Sequence, residues 1–397
     1  MNANSDHPLR QLRERLNLSI DDLAKASGVS ARTVLRAEQG QGLYPGSRRQ
    51  LCTYLQKSPE ELGLQPASLI RADTGVYENV IHPSVFDLGM AEKLDSAESI
   101  INLAWEAWFA SRPSVVSRSV NTLLPGLEKI AYTPYLPPGQ TLRAKELVIR
   151  AHGLLGSVCL DALHNDTALF HYMQAHRFAE EIHDINHTTT YLCLMGEVLR
   201  RQKDETVALS HMENARTQAS GASKATRGHI LQLLAYAYGD TGQEVAFERT
   251  ISEATDLLAF SGEGRDISQK EFIPFEVYEI RGKINRDLGK PMNAIPYLDL
   301  AERALITTDT VAPRWHALLE ISRAQAYCDA GDFATGIDLA CKGFLKAYQC
   351  HSFYQMNRTR KLLKKLEQHL SRHHPGVQNL KNLLYETYMH MDNEDVR

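Results

Sequence analysis

Leu9, Leu12 and Leu16 lie three and four residues apart and give one apolar face to a first short helix. Ser19-Ile20-Asp21-Asp22 follows. It predicts an N-cap serine with a carboxylate three residues on, a capping box with Asp in the place usually taken by Glu. The second helix runs from Ile20 to about Ser27 and buries Leu23 and Ala24, and Gly28 stands where the chain must turn sharply with φ > 0. Ser30 caps a third helix, Ala31 to Gln39, with Val34 and Ala37 inward and Gly40 at its end. Residues 64–95 break the pattern with Pro66, Gly75, Pro83 and Gly89 and read as a linker. Helical periodicity resumes near Asp95 and lasts almost to the end.

From about residue 145 a self-similar pattern runs through the chain: a small residue, another small residue twelve later, and an alanine seven after that. Its copies are Gly156/Ala168/Ala175, Gly196/Ala208/Ala215 and Gly282/Ala294/Ala301, with weaker ones at Ala235/Phe247/Ala254 and Ala324/Gly336/Gly343. Gly242, Gly289 and Gly331 fall seven after the first small residue of their copies, at the turn. Small residues at such points let two antiparallel helices, and then the next pair, pack closely. Flanking helix pairs are expected at about 95–130 and 355–391. The chain is predicted to be all-α, with a small five-helix domain over 1–63, a linker over 64–94 and an α-solenoid over 95–397.

Two short helices joined by a glycine-containing turn form a helix-turn-helix motif. The segment Leu9–Leu64 resembles the DNA-binding domain of the XRE/Cro family through Leu9-x-x-Leu-Arg13, Leu18-Ser-x-x-x-Leu-Ala24, Gly28-Val-Ser-x-x-Thr33-Val, Glu38-x-Gly40 and Ser58-Pro-x-Glu-Leu62. The resemblance implies a third helix lying in the major groove of double-stranded DNA, with Ala31, Arg32, Leu35 and Arg36 outward. Thr33, Tyr44, Ser47, Arg48 and Arg49 would lie near the phosphate backbone and fix register. Arg13 and Glu38 match a pair that joins the first and third helices in this family. One position departs: Ile20 stands where relatives often carry a phosphate-touching Gln, which favours dimeric binding. The plainer reading of Arg32 and Arg36 is a solvated helix face.

The repeat pattern is similar to the tetratricopeptide repeat (TPR), although its 39- to 47-residue intervals imply longer helices or connections. That resemblance implies a right-handed superhelix whose concave face is lined by the first helix of each pair. The inner row would be Arg150, Ser157 and Asp161; Glu197, Arg200 and Arg201; His229, Gln232 and Tyr236; Glu276, Glu279, Lys283 and Arg286; and Gln325. A polar row of both signs with an aromatic suits an extended peptide; alternatively, its charges only pair with one another. The whole layout resembles the RRNPP peptide-responsive quorum-sensing regulators. It implies a homodimer on a partly palindromic operator, controlled by a short peptide in the groove. A DNA-tethered adaptor that docks a partner protein in that groove is the alternative.

Composition narrows this further. The 397 residues carry 43% hydrophobic and 23% charged residues, as in ordinary globular chains. The net charge of −4 divides into about +2 over residues 1–63 and −6 over the rest, so a basic head is drawn to phosphate and an acidic body is not. Six scattered cysteines without a C-x-x-C pair read as reduced thiols of a cytoplasmic protein. No run of eighteen apolar residues or signal-like start predicts a membrane segment. His183 and His187, with Glu180 and Glu181 nearby, lack a third ligand at a recognised spacing and read as a surface pair. Trp105, Trp108 and Phe109 read as core, and the glycines from Gly40 to Gly46 lack the Lys-Ser/Thr of a P-loop. No catalytic set, metal or cofactor is expected, and an enzyme is not.

Overall fold

A computed structural model describes residues 7–40, 43, 45–64, 89–110, 113–134, 136–260, 272–307, 312–370 and 373–394. Most of the expected linker therefore lies outside the described residues. The chain divides into two compact units, Met1–Thr74 and Gly75–Arg397.

The first unit contains α1 (Pro8–Arg15), α2 (Ile20–Ser27), α3 (Ala31–Glu38) and α4 (Pro45–Leu55). The capping box is formed, since Ser19 accepts from the Asp22 N–H and Asp22 accepts from the Ser19 N–H. Gly28 takes a left-handed φ of 76°, and Ser30 caps α3 through the Thr33 N–H. Leu9, Leu23, Val34, Leu51 and Leu62 make the centre of a small core. Leu16, expected on the apolar face, is 51% exposed because it is the residue that ends α1. The fifth segment is a single turn in which Ser58 and Glu61 cap each other, so that Leu62 and Leu64 reach the core.

The second unit is a succession of helix pairs: α5 (Met90–Ala110) with α6 (Pro113–Ala131), α7 (Pro138–Asp161) with α8 (Asn165–Glu181), and α9 (Ile185–Arg201) with α10 (Glu205–Gln218). They continue as α11 (Lys224–Asp240) with α12 (Glu244–Asp256), α13 (Pro274–Asp287) with α14 (Pro291–Thr307), α15 (Pro313–Asp329) with α16 (Phe333–Gln349), and α17 (Phe353–His369) with α18 (Pro375–Glu394). No helix among the described residues is long and apolar enough to cross a membrane.

The small residues act where the spacing placed them. A Cβ on Gly196 would meet the Ala208 carbonyl at 3.0 Å, one on Gly282 the Ala294 carbonyl at 3.1 Å, and one on Gly336 the Ala324 carbonyl at 3.0 Å. Residues twelve apart are thus the closest approach of the two helices in a pair. Gly156 instead makes room for the Tyr172 ring. The turns share a device that three glycines only partly reveal. Gly242, Gly289 and Gly331 have φ of 71°, 76° and 90°, and the equivalent positions Leu163 and Lys203 have φ of 62° and 69° without being glycine.

First helices pack on the first helices of the next pair, from α7 and α9 through to α15 and α17. Within this unit α5 also packs on α15, and α17 on α7. The row curls round until its later members meet its earlier ones, which narrows the expected open groove into a partly open cavity.

Candidate functional site

In the helix-turn-helix unit, Arg13 on α1 donates to both oxygens of Glu38 on α3, at 2.5 and 3.1 Å, and to the Leu18 carbonyl at 2.8 Å. Bonding to Glu38 raises the Arg13 guanidinium further above its usual range, against the effect of burial. This buried pair fixes α1 against α3, with the start of α2 tied in through Leu18. A buried pair is weak evidence of added stability, because desolvation offsets much of its attraction.

With that frame fixed, α3 leaves Arg32, Leu35 and Arg36 exposed, Leu35 at 44%. Arg32 and Arg36 are one helical turn apart and share a face. Ala31 and Thr33 are half-buried, and the Thr33 hydroxyl lies 2.8 Å from that of Ser30, inside the cap. Ser47 and Arg48 are half-buried on α4. Tyr44 and the side chain of Arg49 lie outside the described residues.

In the repeat unit a cavity of about 200 Å³ opens between the first helices of the pairs, every one of which contributes lining residues. Of the inner row read from the sequence, Ser157, Asp161, Glu197, Arg201, His229, Tyr236, Glu276, Glu279 and Lys283 line it. The remaining five support the wall. Arg150 bonds Asn102 and lies 3.6 Å from Glu98. Arg200 bonds both oxygens of Glu197 at 2.7 and 2.8 Å, pairs with Asp240, and stacks 3.7 Å above the Tyr236 ring. Gln232 donates to Glu276 at 2.9 Å, and Arg286 bonds Gln325. Much of the row therefore does pair with itself. Burial alone would raise the Glu197 carboxyl, but Arg200 and Arg201 outweigh it and hold it at about 2.

The closing residues were missed. Trp108 and Phe109 of α5, read as core, line the cavity with Arg314 and Trp315 of α15 and Tyr354, Gln355 and Arg358 of α17. Arg314 donates to the Trp108 carbonyl at 3.0 Å, to Asp161 at 2.7 Å and to the Cys350 carbonyl at 3.0 Å. Ser352 donates to the other oxygen of Asp161 at 2.7 Å, and the Phe109 and Trp315 rings lie 4.9 Å apart. Extending the inner row one copy further, into the pair at 355–391, is the signal that would have pointed to Arg358.

The histidine pair differs from its expectation. His183 takes a left-handed turn after α8, while His187 is buried on α9, 2.5 Å from Asp184 and stacked on Tyr191. The turn between them puts the two on different elements. Among the described residues no cluster of three His, Cys, Asp or Glu side chains could hold a metal.

Residues 7–64 match the family described as "Helix-turn-helix domain". No curated protein matches the chain. Among solved structures, a Rap protein complexed with competence and sporulation factor is 13% identical with a TM-score of 0.47, over 76% of this chain and 90% of that one. The chain carries a helix-turn-helix domain at residues 7–64, followed by an all-α unit of paired helices.

Proposed function

We propose that the protein is a sequence-specific DNA-binding transcriptional regulator whose repeat unit binds a small effector, a short peptide in class, that controls DNA binding. The observation that carries the DNA half is the exposed Arg32, Leu35 and Arg36 face of α3, held on a frame locked by Arg13 and Glu38. Arginine forks bidentate to guanine supply about 1–3 kcal/mol of discrimination each. The other backbone-facing residues act in register, and two copies as a homodimer place two such helices on successive major-groove faces. For the effector half, the cavity walled by α5 against α15 favours a small ligand over a docked protein, for which an open groove is needed. A tenfold change in occupancy needs the effector to prefer one state by about 1.4 kcal/mol.

Selection from a random duplex pool tests the reading. The full chain is expected to enrich a partly palindromic sequence, and Arg32→Ala/Arg36→Ala to lose the guanine positions. Enrichment of nothing by the wild type, or of the same sequence by both proteins, overturns it.

A further inference from the structure

We propose that the repeat cavity is an anion site in which Lys283 and Arg358 together hold a carboxylate of a compact, partly apolar ligand. The free C-terminus of a short peptide is the plainest such group. This names the ligand chemistry of the cavity and rests on the reading that the cavity holds an effector.

Of the eight charged side chains on the wall, Asp161 pairs with Arg314 and Glu197 with Arg201, while Glu279 bonds Ser322 and Glu276 bonds Gln232. Asp161 is also bonded by Ser352, and Glu197 by Arg200. Two cations on the wall, like Glu279, form no ion pair among the described residues. Lys283 lies against the Tyr236 ring, whose centroid is 4.0 Å from Nζ. Arg358 bonds Gln355 at 3.0 Å, Ser322 at 2.9 Å and Gln325 at 2.7 Å, all of them neutral. Glu279 is joined to it through the shared Ser322 hydroxyl. Both cations face the cavity.

Burial, then the positive charge of Arg358 and Arg200, drives the Lys283 ammonium well below its ordinary range, and burial lowers Arg358 as well. An isolated buried charge neutralises or finds a partner. A ligand carboxylate between these two side chains meets that need. It would take the Lys283 ammonium and the Nε–H of Arg358, whose guanidinium otherwise bonds through its Nη atoms. Trp108, Phe109 and Trp315 on the same wall offer apolar and aromatic surface to the rest of the ligand. The volume of about 200 Å³ lies below the roughly 300–1,000 Å³ of drug-sized pockets, so the ligand is small as the cavity stands.

The test offers the full chain two pools of random di- to tetrapeptides, one with free C-terminal acids and one with C-terminal amides, and identifies the retained species by mass spectrometry. The wild type is expected to retain free acids at least tenfold over amides. That preference is expected to vanish in both Lys283→Met and Arg358→Met. Equal retention of both pools, retention of neither, or an undiminished preference in both variants overturns the proposal. Displacement of retained acids by inorganic phosphate alone, at equal concentration, makes the site a general oxyanion site and overturns the carboxylate assignment. Thermal unfolding without ligand supplies a second reading, because Lys283→Met removes an uncompensated charge. Its melting temperature is expected to rise, and a fall overturns the premise. If acids bind as expected but leave DNA affinity unchanged, the site stands and effector control fails. If the duplex selection succeeds while no acid is retained, the DNA-binding reading stands and the anion site fails.

Discussion

Replacing Arg314 by Met keeps the chain's length and apolar stem but removes the guanidinium that joins α5, α7 and the end of α16. The residue is 7% exposed, and its carbon Cζ lies 3.8 Å over the Trp108 ring. The loss strips Asp161 of its charge partner, leaving it the Ser352 hydroxyl, and strips the Trp108 and Cys350 carbonyls of a donor. Each stranded polar group costs about 1–3 kcal/mol, and breaking a buried ion pair costs about 3–5 kcal/mol. These overlap, so about 3–5 kcal/mol is the expected total. The cost falls on the α5–α15 contact more than on the pairs themselves, because repeat units unfold in parts. Hydrogen exchange read by mass spectrometry is therefore the suitable assay. Amides of α5 and α15 in Arg314→Met are expected to exchange at least about 100-fold faster, at about 1.4 kcal/mol per tenfold, while those of α10 and α12 stay unchanged. A double-mutant cycle with Asp161→Asn should show coupling above about 1 kcal/mol. Uniform acceleration across the unit, or additive effects in the cycle, would refute the idea that one guanidinium closes the row.

Two further predictions concern the repeat unit. His171, 6% exposed and 2.9 Å from His152 between their Nδ1 atoms, is lowered to about 3 by burial and then by the charge of His152. The unfolded chain then binds the extra proton between about pH 6.5 and 3. Stability is whole above that window and falls as the pH drops through it, by about 2 kcal/mol between pH 7 and 5. Urea unfolding of His171→Asn should lack that part of the loss; an identical pH slope in both proteins would count against it. Lys203, left-handed at φ 69° and exposed, should gain from Lys203→Gly. The strain relieved is about 1–2 kcal/mol and the chain entropy lost about 0.4–1 kcal/mol. A net gain of about 0.5–1 kcal/mol in urea unfolding is expected, and a loss would show that the turn is not strained.

Local rules made the first unit readable. Ser19, Gly28 and Ser30 act through neighbours three or four residues away, so their geometry follows from short-range chemistry. The Gly196/Ala208 and Gly282/Ala294 contacts were readable for a similar reason, since a fixed spacing across one turn brings them together. Leu163 and Lys203 escaped because a left-handed residue that is not glycine leaves no mark in the sequence. The cavity escaped for a different cause. Trp108 meets Arg314, and Asp161 meets Ser352, only through the summed rotation of many pairs, which no local spacing encodes. Arg200 and Arg286 were read into the inner row, but neither lines the cavity, because which of the row's charges are consumed by each other depends on side-chain geometry.

The Asp161–Ser352 bond spans 191 residues and the Arg314–Trp108 bond 206. An open solenoid assembles from neighbour to neighbour and can begin anywhere. Here the ring of first helices cannot shut until the chain has been made past α17, so the earlier pairs must wait, stacked but unsealed, with their charged wall still in water. The finished cavity then arrives last and all at once, and a nascent or C-terminally clipped chain would possess the helix-turn-helix head without it.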